Sequence, residues 1–215
     1  MKGSDPFRVH VLEVGPLAVN CYLLEHVPSR KAAVIDPGDD GPSILSRIGE
    51  LGLAVDKILL THGHFDHVGA VAILKEKTGA GVYLHEADVA RMKSARRQGL
   101  MFGLWVTDPP PPDVLVADGG RVPFADGELR VAHTPGHTPG CVSYIMKNMA
   151  FVGDLIFAGS IGRTDLPGGD YDTLIAAVRE KIFVLPDDTV LFPGHGPATT
   201  VGEEKRSNPF FTGGW

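Results

Sequence analysis

Residues 59–70 read LLTHGHFDHVGA, which places His62, His64, Asp66 and His67 within six positions directly after an apolar run. Imidazole and carboxylate bind divalent transition metals without redox-sensitive thiols, so the cluster points to a metal site. Taken alone, a His-rich segment is also what a surface turn looks like. The other histidines sharpen the reading. His137 in AHTPGHTPG and His195 in LFPGHG occupy the same kind of Pro/Gly turn after apolar runs. Between them, AFVGDLIF carries Asp154 just after a strand-like apolar segment, where a lone buried carboxylate would be costly unless paired or metal-bound.

The ordered set H-x-H-x-D-H, then His, then Asp, then His, resembles the metallo-β-lactamase fold superfamily, and the match spans residues 62–195. The resemblance implies one metal on His62, His64 and His137, a second on Asp66, His67 and His195, and Asp154 bridging them. An H-x-H pair alternates too regularly to share one helix face, so it belongs on an extended loop, while Asp66 and His67 lead into a helix start. Both implied sites lack a thiolate, unlike the second site typical of penicillin-degrading members. Oxygen and nitrogen donors accept zinc, iron or manganese; zinc is the first expectation.

Two metals about 3.5 Å apart can hold a hydroxide between them and polarise a carbonyl, so hydrolysis needs no Ser or Cys nucleophile, and no G-x-S-x-G elbow is present. Asp66 and Asp154 are the expected catalytic carboxylates. The same ligands serve lactams, lactones, thioesters and phosphodiesters, so the bond must be read elsewhere. PLAVNCYLL, GSIGRTDLPGGDYDTL and FPGHGPATTVGEEKRSNPF are similar to glyoxalase II, the hydroxyacylglutathione hydrolases, especially short bacterial members. The implied reaction is hydrolysis of a small-molecule thioester such as S-lactoylglutathione to D-lactate and glutathione. Longer relatives follow the last histidine with a helical domain that contacts glutathione, whereas this chain ends 20 residues after His195, so that specificity does not carry over. Arg163 or Lys205 are candidate cations for the substrate; Tyr144 and Trp105 read as packing residues. The main alternative on the same fold is a persulfide (sulfur) dioxygenase with a single iron, which the resemblance places on His62, His137 and Asp154. A lactonase or lactamase and a non-catalytic metal-stabilised scaffold rank lower.

These residues need strands that end together. RVHVLEV, NCYLLE and KAAVID read as short early strands. Pro42, then Ile44, Leu45, Ile48 and Leu51 at helical spacing, and Gly52 predict a helix with its stop. DKILLTH is a buried-type strand before the cluster, and a helix through VGAVAILKEKTG stops at Gly79. GVYLH is a strand and a helix starts at Glu86. LRVAHT, CVSYIM and AFVGD are strands, Leu174, Val178 and Ile182 mark a helix face after GGDYD, and TVLFPGHG closes with a strand. Residues 94–115, with four prolines, read as a loop and a candidate lid over residues 95–115. The expected architecture is α/β: a four-layer αββα sandwich, two packed mixed sheets with helices outside, formed by one domain over residues 1–215.

Composition agrees with an ordinary globular chain: 43% hydrophobic and 21% charged residues over 215 positions. A net charge of −6 and no basic run longer than Arg96-Arg97 argue against a nucleic-acid partner. No stretch approaches the roughly 18 apolar residues of a membrane span, and the opening residues hold no signal-type apolar core, so the cytoplasm is the expected compartment. GSDPF near the start reads as a possible appended leader. Cys21 and Cys141 read as buried free thiols. His10, His26, His85 and His133 are expected to pack or cap rather than bind metal.

Overall fold

The computed structural model describes residues 5–213, so Gly3 and Ser4 of the leader reading lie outside the described residues. The first half builds a six-stranded sheet in sequence order: β1 (Phe7–Val14), β2 (Val19–His26) and β3 (Lys31–Ile35), then helix α1 (Gly41–Leu51), β4 (Ala54–Leu59), helices α2 (Phe65–Val68) and α3 (Val71–Thr78), β5 (Gly81–His85), helices α4 (Val89–Lys93) and α5 (Ala95–Met101), and β6 (Val114–Val116). β1 to β3 pair antiparallel, and β3 to β6 pair parallel. The change of direction follows from the connections: short turns suffice for hairpins, while parallel neighbours need crossovers, which α1, α3 and the α4–α5 segment supply.

The second half builds another six-stranded sheet. Its elements are β7 (Arg121–Phe124), β8 (Gly127–His133), β9 (Val142–Met146), β10 (Met149–Gly153), a small hairpin of β11 (Ile156–Phe157) and β12 (Ser160–Ile161), helix α6 (Tyr171–Ala177) prolonged by a wider turn through Ile182, β13 (Val190–Pro193), β14 (Thr199–Thr200), and helices α7 (Val201–Ser207) and α8 (Pro209–Thr212). The sheet runs β14-β13-β10-β9-β8-β7, with β10 and β13 parallel and the rest antiparallel.

Side-chain alternation assigns the layers. In β2, Tyr22 and Leu24 enter the core between the sheets, where they meet Val131, Tyr144 and Phe151 of the second sheet; Cys21 and Leu23 face the opposite way onto Ile44, Val71 and Leu74 of the helices. The outer face of the second sheet, with Ala150 and Val152, packs on Leu174, Val178 and Val201. Both sheets are therefore covered on both faces, and the expected four-layer αββα sandwich is what forms.

Three differences from the sequence reading have local causes. The segment 94–115 is not one loop, because Ala95–Met101 is helical and Val114–Val116 is a strand. The prolines occupy only 109–112, and ARRQGLM is rich in good helix formers. The helix expected over 68–79 is instead α3, entered from a separate turn, α2. The loop carrying Gly38 passes so close beneath α2 that a Cβ there would lie 1.8 Å from the Asp66 carbonyl oxygen. Finally, β7, α7 and α8 were not anticipated. Among the described residues, no helix is long and apolar enough to cross a membrane.

Candidate metal centre

β4, β8, β10 and β13 end at one edge of the sandwich, and each chain continues there into a ligand-bearing turn. His62 and His64 lie between β4 and α2, with His64 at the N-cap of α2, while Asp66 and His67 fall in its first turn. His137 lies in the turn joining β8 to β9, Asp154 directly follows β10, and His195 follows β13. The loop-then-helix division expected from spacing is thus observed, and all seven residues converge.

They converge as two groups. Potential ligand atoms of His62, His64 and His137 lie within 4.8 Å of one another, as do those of Asp66, His67 and His195. Asp154 stands between: Oδ1 is 3.4 Å from His67 Nε2, and Oδ2 is 3.6 Å from both His137 Nε2 and His195 Nε2. Asp66 Oδ2 is 3.6 Å from His195 Nε2.

Neighbours fix which nitrogen faces the centre. Thr61 Oγ1 donates to Asp36 Oδ2 at 2.6 Å, so it accepts from His62 Nδ1 at 3.1 Å and leaves His62 Nε2 bare. Asp36 Oδ2 also accepts from His67 Nδ1 at 3.1 Å, and the Arg163 and Leu17 carbonyls accept from His137 Nδ1 and His195 Nδ1. Four imidazoles thus present Nε2 inward, the arrangement that orients metal-binding histidines. His64 is turned the other way, with Nδ1 2.8 Å from His137 Nε2 and Arg91 Nη1 3.2 Å from its Nε2.

Burial, reinforced by the charges of His67, His64 and His137, drives the His62 pKa well below the ordinary range. His64 falls to about 2, through burial and then His137. Both rings are therefore neutral at physiological pH, the form in which an imidazole can bind a metal. Burial would lower His67 too, but Asp154, Asp66 and Asp36 outweigh it and raise its pKa to about 10. Asp66 is held well below the carboxylate range by His67 and His195 despite its burial.

The residues fit metal ions on the structure's own terms. His62 Nε2, His67 Nε2 and Asp154 Oδ1 are buried without a hydrogen-bond partner, and such orphans are costly unless something coordinates them. Gly194 is part of the cradle: a Cβ there would lie 2.2 Å from Asp154 Oδ1 and 2.7 Å from His67 Cε1.

Two supporting acids escaped the sequence reading. Asp36 joins His67 to Thr61. Asp88, fully buried, accepts from Gly63 N and Thr138 Oγ1 through Oδ2 and from Gly140 N through Oδ1, pinning the His62/His64 loop to the His137 turn. The four other histidines stay apart from both groups: His10 pairs with Glu25, His26 with Ser29 and Asp126, and His85 stacks on His133. Cys21 and Cys141 are buried and unpaired, and burial first of all pushes both thiols far up.

A cleft of about 720 Å³ opens over the centre, lined by Arg91, Arg97, Phe157, Arg163 and Met101 among others. Of the cations proposed from sequence, Arg163 lines it but its guanidinium is held bidentately by Asp165. Lys205 is not on its wall and pairs with Asp187. Tyr144 packs as expected, fully buried with its hydroxyl donating to Leu60 O, whereas Trp105 is 69% exposed and covered by Arg96 rather than packed in a core.

Compared with known proteins, residues 14–195 match the metallo-beta-lactamase superfamily. The chain belongs to that superfamily. It is 42% identical over 207 residues to hydroxyacylglutathione hydrolase GloC of Haemophilus influenzae, covering 94% of this chain and 97% of that protein. BLEG-1, a B3 metallo-beta-lactamase, superposes with a TM-score of 0.89 at 37% identity, covering 95% of this chain and 100% of the other. TTHA1623, solved in a di-iron-bound form, superposes with a TM-score of 0.87 at 42% identity, covering 94% and 100%. The chain is a metallo-hydrolase of this superfamily, with a His/Asp cluster suited to a dinuclear site.

Proposed function

We propose that this metallo-hydrolase cleaves small thioesters of the hydroxyacylglutathione kind, using two divalent metals, zinc before iron or manganese. The observation that carries the dinuclear reading is the pair of three-ligand groups meeting at Asp154, with three orphaned buried atoms aimed into the centre. His62, His64 and His137 would hold one metal, Asp66, His67 and His195 the other, and Asp154 would face both. Such a pair lowers the pKa of bound water toward neutrality and polarises a carbonyl.

The chain's own residues do the rest. Asp36, Thr61, Leu17 O and Arg163 O keep Nε2 of four histidines toward the centre. The side chains of Phe157 and Met101 give the cleft apolar surface for an acyl-sulfur group. Neither cysteine competes as nucleophile, since both are buried and protonated, so water is the attacking group. The thioester assignment draws on similarity to GloC over nearly the whole of both chains. The cytoplasm, with a substrate free in solution, is the setting this reading takes.

Thiol release from S-lactoylglutathione should be measured on protein loaded in turn with zinc, manganese and iron, with His62→Ala as control. Release that the substitution lowers by at least a hundredfold is expected. Absence of release from every loaded form, combined with oxygen uptake on glutathione persulfide, would replace the hydrolase by the dioxygenase; opening of a β-lactam would replace it by a lactamase.

A further inference from the structure

Three arginines line the cleft, and two of them are already engaged. Arg91 donates to Pro167 O at 2.7 Å, lies 3.2 Å from His64 Nε2 and stands 3.8 Å from Asp88 Oδ1. Arg163 is neutralised by its bidentate pair with Asp165, at 2.9 and 2.8 Å. Arg97 is different: it is exposed, borders the cleft, and has no hydrogen bond or ion pair among the described residues. Its neighbour Arg96 points elsewhere, onto Trp105 and Asp108.

The helices position this free cation. Ala90, Arg91, Ser94, Arg97 and Met101 recur at three- and four-residue spacing and all line the cleft, so α4 and α5 present one continuous wall. Ser94 closes α4 and opens α5 with φ −99° and ψ 10°, so the wall is built of two separate helices.

We infer that Arg97 is a specificity-determining residue that recognises a carboxylate on the thiol side of the substrate. This rests on the thioester reading and adds to it what the leaving group must carry. A guanidinium without a protein partner, on the wall of a cleft whose other arginines are occupied, is the group free to form a charge-assisted pair with an incoming carboxylate.

The test uses S-hexylglutathione, a thioether that cannot be hydrolysed, and its dimethyl ester, titrated calorimetrically into the metal-loaded protein and into Arg97→Met, Arg97→Lys and Arg97→Glu. The wild type is expected to prefer the diacid about tenfold or more; Arg97→Met should erase most of that preference, Arg97→Lys retain part and Arg97→Glu abolish it. Because Arg97 is exposed, thermal melts should coincide across the series. A preference that survives Arg97→Met undiminished overturns the inference, and so does a wild type that binds both ligands equally or neither. Thiol release separates it from the reading beneath it. An Arg97-dependent preference without thiol release from S-lactoylglutathione leaves the anionic site standing and removes the thioesterase. Release with the same KM in wild type and Arg97→Met does the reverse.

Discussion

Asp36 shows how much a site depends on groups that never face its centre. Its Oδ2 accepts from His67 Nδ1 and from Thr61 Oγ1, so one carboxylate sets the orientation of His67 directly and of His62 through the threonine. Asp36→Asn keeps the shape but puts an amide N–H where an acceptor stood, which favours the wrong tautomer of His67. The expected result is a 10–100-fold loss of affinity at the second metal, with the first less affected. Two-step metal titration reads this, and a variant that binds two equivalents with unchanged affinities would contradict it. Asp36 was within reach of the sequence: it ends KAAVID, an acid after an apolar strand, the same context that singled out Asp154. No histidine lies near it in the chain, however; His67 is 31 residues away. Asp88 had no such signal. In HEAD at a helix start it looks like a solvated acid, and only the meeting of the Gly63 and Gly140 amides with the Thr138 hydroxyl gives it its buried partners.

At the scale of elements, periodicity succeeded where burial is regular and failed where short elements are held by tertiary contacts. β2 and β3 were readable because both faces are buried, and β4 by its buried end Ile58–Leu59 running into Leu60; α1 and α6 were readable because their faces repeat. α7 and α8 have no long stripe, and side-chain hydrogen bonds hold them. Asn208 caps α8 by accepting from Phe210 N, donates to Ser160 O of β12, and donates to Glu204, which in turn accepts from Gly159 N and Thr199 Oγ1. The two helices therefore clamp the β11–β12 hairpin, whose Phe157 and Ile161 line the cleft. Asn208→Ala removes a cap, one buried and one half-buried hydrogen bond, and should destabilise the protein by about 2–3 kcal/mol. For a chain of this size that corresponds to roughly 4–12 °C in Tm. Thermal unfolding checks the magnitude; a shift under about 1 °C would mean that the clamp contributes little.

Across the whole molecule, acid groups tie distant parts of the chain together. Lys75 of α3 holds Asp113 before β6, Lys181 after α6 holds Asp118, and Lys205 of α7 holds Asp187. In each case the lysine hydrogen bond first of all keeps the carboxyl below its ordinary pKa. Glu25, in the middle of the first sheet, is the buried member of this set. Burial by itself would raise its pKa, but the His10 hydrogen bond and the Arg30 charge outweigh burial and lower it. A carboxylate whose folded pKa is depressed contributes stability that is complete above its unfolded value, about 4.3 for Glu and 3.9 for Asp, and that disappears as pH falls through the folded value. Tm should therefore hold steady from pH 7 to about 5 as far as these groups are concerned, then drop on further acidification. Added salt should flatten the part due to the exposed lysine pairs and leave the Glu25 part in place, because screening acts on solvated charges. Glu25→Gln should lower Tm at pH 7 and make the decline below pH 5 shallower. Parallel curves for wild type and variant at high salt would show that acid sensitivity resides elsewhere than in this buried carboxylate.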